Sequence, residues 1–218
     1  MKMILKKLKL LIIYIISKKS EIIYINQFAE IDFPSNLQPS SIQQSEGLKK
    51  IVNHLNSFNL KYSISKGTLL GLYRDKQILP NDIDIDIDIF SIESVYKLIN
   101  NTNYQIYRTM VYKGLYTNIV FYDIENQLLI DFAVFNDKFN YTPHGSFVIN
   151  KDIFDSITQR SFSGIEMCIY EPEYYLKLWY GKDWRVPKTY KKNWTYYYKK
   201  NCKLFDANEI LSKTIFHN

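Results

Sequence analysis

The chain has 218 residues, 46% of them apolar and 16% aromatic, enough to bury one sizeable core and too apolar for a disordered chain. Its formal charge is +6 at pH 7 with the basic residues gathered at both ends, which points to a polyanion, an anionic membrane surface or a phosphate-bearing substrate. No helix-turn-helix, zinc-finger or single-strand-binding signature accompanies the charge, so no nucleic acid is expected as a partner.

Near the start, Lys2, Lys6, Lys7, Lys9, Lys18 and Lys19 flank the apolar run Leu10 to Ile16, which is far short of the roughly 20 residues that cross a bilayer. Ser17-Lys18-Lys19-Ser20 stands where a cleavable leader would place small residues. The segment 1–35 therefore reads as a packed or interfacial amphipathic helix, and peripheral membrane association is expected of it. The remainder, 36–218, reads as one catalytic domain ending in a basic, aromatic tail, with no repeat or linker dividing it.

Asp32 to Ser41 is loop and helix entry, and Ser40 or Ser41 caps a helix in which Ile42, Leu48, Ile51, Val52, Leu55 and Phe58 recur at helical spacing. A strand follows over Leu60 to Ser65. Lys66-Gly67-Thr68 breaks it before a short helical run from Leu69 to Arg74, and Gln77 to Pro80 turns the chain into an acidic stretch. Ser91 caps a helix over Ile92 to Asn100, with Glu93 favouring its N-terminal dipole. Tyr104 to Met110, Tyr116 to Tyr122 and Gln127 to Phe135 are strand-like, Asn140 to Gly145 reads as loop, and Lys151 to Phe154 as a turn. Two short strands bent at Gly164 are expected between Arg160 and Tyr170, then a helix opened by Pro172 and stopped by Gly181. This is an α+β organisation, a mixed sheet with helices on it and a surface rich in tyrosine. Cys168 and Cys202 lie far apart without histidine partners, which argues against a zinc site or disulfide scaffold and for a reducing cytoplasm. His54, His144 and His217 are scattered, so a histidine-centred triad is not expected.

The acidic stretch carries the chemistry. In Asn81-Asp82-Ile83-Asp84-Ile85-Asp86-Ile87-Asp88-Ile89 four carboxylates recur every second residue, so on a strand they leave one face while the isoleucines leave the other. A merely wet strand would mix Lys, Thr and Ser into that face, and an EF-hand would need a glycine and a glutamate in registers this stretch lacks. Mg²⁺, or Mn²⁺ as the second candidate, is the natural cation for such a site. Asp131 is a charge inside the apolar strand Leu128 to Phe135, placed to serve as a third acid, either as ligand or as base; Asp123 and Asp137 sit in turns and are weaker candidates. Gly67 allows close backbone approach, and Thr68 can cap the helix and touch phosphate. Arg74 can clamp a phosphate or pair with a nearby acid, Lys182 and Arg185 can contact a diphosphate or glycan, and Trp184 offers a stacking face or a core ring.

Gly67-Thr68-Leu69-Leu70-Gly71-Leu72-Tyr73-Arg74, followed by Ile78-Leu79-Pro80-Asn81-Asp82-Ile83-Asp84-Ile85-Asp86, resembles the signature of the LicD family, to which the fukutin-related proteins also belong. Phe162 to Glu166 and Tyr174 to Trp184 are similar to its C-terminal pattern, so the likeness runs from about residue 45 to 187. Where the family commonly has Pro-Trp-Asp-Asp-Asp-Ile-Asp, this chain has Asn81 for the Trp and Ile83 for the middle Asp, and the alternate acids remain. The cysteine-rich zinc element of the animal relatives is absent.

The resemblance implies a nucleotidyltransferase-like fold and transfer of phosphocholine, or of a polyol phosphate such as ribitol phosphate, from a CDP-linked donor to a sugar hydroxyl. It implies that Asp84 and Asp86 are the principal metal pair, Asp131 the acid on the later strand, and Asp82 a further acidic position. A glycan acceptor, lipid-linked or free, and a cytoplasmic enzyme at the membrane face follow from the same likeness joined to the charged ends. The same three acids suit nucleotidyl transfer with release of pyrophosphate, and a non-catalytic glycan- or membrane-binding protein with a structural ion is the third reading.

Overall fold

The computed structural model describes residues 37–80, 82–112, 115–135, 141–144, 147–187, 203–204 and 214–216. The expected helix within 1–35, Asp137, and nearly all of the basic tail after residue 187 lie outside them.

Helix α1 spans Ser41–Ser57 and begins with a reciprocal cap, in which the Ser40 hydroxyl accepts from the Gln43 amide and the Gln43 side chain accepts from the Ser40 amide. Its buried residues Leu48, Ile51, Val52 and Leu55 repeat at the spacing read from the sequence. Strand β1 (Tyr62–Ile64) leads into α2 (Lys66–Leu70), which runs on as a π-helical turn over Gly71–Asp75. The acidic strand β2 occupies Asp84–Ile89, and α3 (Ile92–Asn101) follows behind its Ser91 cap. Strands β3 (Gln105–Tyr112), β4 (Leu115–Asp123) and β5 (Leu128–Val134) come next. Then come β6 (Tyr141–His144), β7 (Phe147–Asn150), a 3₁₀ turn over Lys151–Ser156, β8 (Thr158–Phe162) and β9 (Ile165–Ile169). Helix α4 (Pro172–Tyr180) has Pro172 in its first turn and both Glu171 carboxylate oxygens accepting from the Glu173 and Tyr174 amides, and Gly181, at φ +87, ends it. Two short strands complete the order, β10 (Lys203–Leu204) and β11 (Thr214–Phe216).

The main sheet is mixed and eight-stranded, in the order β11-β3-β4-β5-β2-β1-β9-β8. β2 runs parallel to β5 and β1 parallel to β9, while the other neighbours are antiparallel. Helices flank it, so the class is α+β with a mixed sheet, as the sequence predicts. The isoleucines of β2 enter a core shared with Leu48, Ile51 and Leu55 of α1, Leu98 of α3 and Trp179 of α4. Gly47 lets α1 come down onto β5, because a Cβ there would meet Leu128. Among the described residues no helix is long and apolar enough to cross a membrane.

Two expectations need correction. Tyr141–His144, expected as loop, is the edge strand of a small sheet ordered β10-β7-β6. Pro143 suggests a loop but is tolerated there, since an edge strand leaves one side without a ladder partner. Nor, among the described residues, are the tyrosines mainly on the surface, since Tyr62, Tyr104, Tyr116, Tyr122, Tyr170, Tyr175 and Tyr180 are buried. Several bury the ring and satisfy the hydroxyl, as when Tyr62 Oη donates to Asn56 Oδ1 at 2.9 Å.

Gly71 is required by a backbone contact. A Cβ on it would stand 2.6 Å from the Gln77 carbonyl oxygen and 2.8 Å from the Leu79 nitrogen, in the segment that feeds the acidic strand. Gly71→Ala is expected to cost about 1–3 kcal/mol of stability, as overpacking against rigid backbone does, seen as a lower denaturant midpoint with an unchanged slope.

Candidate metal centre

Asp86 of β2 and Asp131 of β5 are direct partners in the parallel ladder. Asp84 lies one side chain further along the same face. Ligand atoms of these three carboxylates all fall within 4.8 Å of one another. The row continues across the sheet, since Val120 of β4 pairs with Asp131 and Arg108 of β3 pairs with Val120.

Asp86 and Asp131 are held by identifiable partners. The Gly67 amide donates to Asp86 Oδ2 at 3.0 Å, the Lys66 ammonium lies 3.2 Å from Asp86 Oδ1, and the Asp86 amide donates to Thr68 Oγ1 at 2.9 Å. A Cβ on Gly67 would come within 3.0 Å of an Asp82 carboxylate oxygen and 3.3 Å of Asp86 Oδ2. The glycine is thus needed for the acids to crowd against the helix start. Asp131 is tied on both oxygens, with the Asn118 amide donating to Oδ1 and the Arg108 guanidinium to Oδ2 at 3.4 Å. From further off, the Gln44 side-chain amide donates to the carbonyls of Leu79 at 3.3 Å and Asp82 at 2.7 Å, so α1 pins the loop that delivers β2.

The electrostatics are those of a cation site. Burial pushes the Asp86 carboxyl up to about 7; the ammonium of Lys66 opposes that rise, and the charges of Asp84 and Asp131 add to it. Asp82 is raised to about 6 by burial and by Asp86, and Asp84 stands well above the ordinary range through burial, Asp82 and Asp131. Burial would lower Lys66, but Asp131, Asp86 and Asp88 together hold it well above its usual value. Three hard oxygen donors, of which Asp84 and Asp86 ionise reluctantly without a positive partner, fit a divalent ion such as Mg²⁺ or Mn²⁺.

The other expected residues fall in different places. Asp82 hydrogen-bonds with Asp84 but stands outside the group of three. Asp88 is fully buried and accepts from Tyr170 Oη at 2.6 Å, a structural acid at the far end of the strand. Asp123 is buried at the end of β4 and paired with Lys50 at 2.9 Å. The Thr68 hydroxyl is fully buried and serves Asp86. Arg74 grips Asp75 through two bonds of 2.8 and 2.7 Å and reaches the Trp184 carbonyl at 3.4 Å. The Trp184 ring is buried in the core beside Tyr73, with the Arg185 guanidinium 4.3 Å from its centroid. Arg185 also pairs with Glu173, and both Arg185 and Lys182 are exposed.

Sequence reasoning missed Lys66, Arg108 and Asn118. Asn118, a polar residue in the run Tyr116 to Tyr122, carried the same signal that singled out Asp131. Lys66 carried none, because its role depends on where the turn aims its side chain.

A family model described as LicD/FKTN/FKRP, nucleotidyltransferase domain, matches residues 59–171, and that span holds all three acids. The chain belongs to the LicD family. No curated protein matches it. Among solved structures, this LicD-family chain is similar to an antigenic nucleotidyltransferase-like protein from Paracoccidioides brasiliensis, at 15% identity and a TM-score of 0.39. The similarity covers 64% of this chain and 66% of that one.

The raised carboxyls set a pH dependence. An acid whose folded pKa lies above its unfolded value binds more protons in the folded state between the two, so stability falls as pH rises through that window. For Asp82 and Asp86 the window runs from the ordinary 3.8 to about 6 and about 7. Lys66 stays charged throughout it, and Asp75, held low by Arg74, acts only at more acidic pH. In chelator the protein should melt at a lower temperature at pH 8 than at pH 5, and Mg²⁺ should close most of that gap. Asp86→Asn should flatten the profile. Asn118→Ala should weaken Mn²⁺ binding roughly 10–100-fold, as loss of a ligand's supporting hydrogen bond does, measured by calorimetry.

Proposed function

We propose that this LicD-family domain is a metal-dependent phosphotransferase, moving phosphocholine or a polyol phosphate from a CDP-linked donor to a sugar hydroxyl of a surface glycan or its lipid-linked precursor. The observation that carries the reading is the convergence of Asp84, Asp86 and Asp131 within the span matched by the family. A divalent ion bound there supplies Lewis-acid neutralisation of the donor diphosphate and of the departing CMP.

The chain's own groups do the rest. Asp84 and Asp86 present oxygens from one strand, and Asp131 faces them from the next. Because both oxygens of Asp131 already accept from Asn118 and Arg108, its carboxylate is fixed in orientation, which favours a ligand's role over that of a base which must turn toward a hydroxyl. Gly67 and Thr68 act on Asp86 and keep the pair in register. Lys182 and Arg185, exposed just beyond α4, are proposed to meet the donor phosphates, with Arg74 able to join them on leaving Asp75, while buried Trp184 supports this segment. We place the enzyme in the cytoplasm, peripheral to the membrane, where a lipid-linked acceptor and the basic ends of the chain would meet.

The test is product identification after incubation with Mg²⁺ and a mixture of CDP-choline, CDP-ribitol, CDP-glycerol, CTP, UTP and ATP, with a sugar acceptor pool and a chelator control. Metal-dependent CMP from one CDP donor is expected, and pyrophosphate from a triphosphate would move the assignment to nucleotidyl transfer. Asp84→Asn, Asp86→Asn and Asp131→Asn should each lower turnover by about 10²-fold or more while the fold persists. If those variants lost only stability, the acids would hold a structural ion in a binding protein. Replacing Lys182 and Arg185 together by alanine should raise KM for the donor more than it lowers kcat.

A further inference from the structure

Lys66 combines three features that a surface lysine does not. It is a non-glycine residue at φ +40, a conformation that L side chains avoid. Its backbone amide donates to Tyr175 Oη at 3.2 Å, so a buried tyrosine of α4 holds the unfavourable turn in place. And its ammonium, only 16% exposed as a side chain, lies 3.2 Å from Asp86 Oδ1 and 4.0 Å from Asp131 Oδ1.

Resting on the metal-centre reading above, we propose that the site takes a single divalent ion and that Lys66 is a positioning residue whose ammonium occupies the place of a second one. In two-ion phosphoryl-transfer sites the ions lie about 3.5–4 Å apart and a carboxylate bridges them. Here the candidate bridges are engaged. Asp86 meets Lys66 through Oδ1 and the Gly67 amide through Oδ2, while Asp131 meets Asn118 through Oδ1 and Arg108 through Oδ2. Each carboxylate oxygen has two acceptor sites, and these four each give one to a protein donor. The Lys66 ammonium thus stands against the Asp86 oxygen that a second, bridged ion would need. Charge leads to the same count, because Lys66 and Arg108 already offset two of the three carboxylates.

The experiment is an Mn²⁺ titration of the full chain, reading free Mn²⁺ by its EPR signal. The wild-type protein is expected to bind one ion at the acids and Lys66→Arg also one. Lys66→Met is expected to bind a second ion or to hold the first at least tenfold more tightly. Lys66→Gly, to which the positive φ is natural, should behave as Lys66→Met does and guards against a folding defect. Two ions in the wild-type protein would overturn the proposal, and so would one ion of unchanged Kd in folded Lys66→Met and Lys66→Gly. Both outcomes leave the metal centre standing. Wild-type protein that bound no Mn²⁺, and matched Asp86→Asn in this, would overturn the metal centre itself and the role of Lys66 with it.

Discussion

Asp86 and Asp131 face each other across two parallel strands in the middle of the sheet, with Asp84 beside them, and repulsion among these carboxylates must be offset before the strands can pair. At 4.8 Å and an effective dielectric of about 20, two unit charges repel by roughly 3 kcal/mol. Three such pairs would approach the whole stability of a typical domain, about 5–15 kcal/mol. Protons, protein cations and a metal ion are the means available. The elevated carboxyls show the first, Lys66 and Arg108 are the second, and the third would relieve both. The surrounding chain is organised to tolerate that frustration locally.

That organisation reaches the acids from several sides. Thr68 and Gly67 act at the helix start, Asn118 comes from the neighbouring β4 and Arg108 from β3 beyond it, Gln44 holds the incoming loop, and Tyr175 fixes the Lys66 backbone. Each of these supports is one or two hydrogen bonds, made by a side chain or, at Gly67, by the backbone amide. Loss of one should loosen the centre without unfolding the sheet.

The architecture and the three clustered acids were legible because they follow from local pattern. Alternation of Asp with Ile identifies β2, and a lone charge among apolar residues identifies Asp131. The helix caps at Ser40 and Ser91 and the first-turn Pro172 follow from short-range chemistry, and each stands where the sequence puts it. Alternation alone, however, cannot say how deep each acid lies. Asp86 belongs to the cluster and Asp88, two residues on, to Tyr170 and the core, because Tyr170, stacked on Tyr175 of α4, closes over it. Lys66 was illegible for a further reason, since its reach depends on a left-handed turn that local propensity disfavours. The buried tyrosines show the same limit, because composition reports how many there are and only packing decides where they go.

Gln44 and Tyr175 both lie outside the stretch 59–171 by which the family is recognised, yet one holds the approach to β2 and the other the backbone of Lys66. The segment that can be recognised is therefore smaller than the unit that can fold. A fragment cut to the recognisable stretch would keep the three clustered acids and lose α1 and α4, uncovering Leu128 and freeing the carbonyl of Asp82. Family membership is read from the stretch that holds the acids, whereas their geometry also depends on Gln44 and Tyr175, which the flanking helices supply.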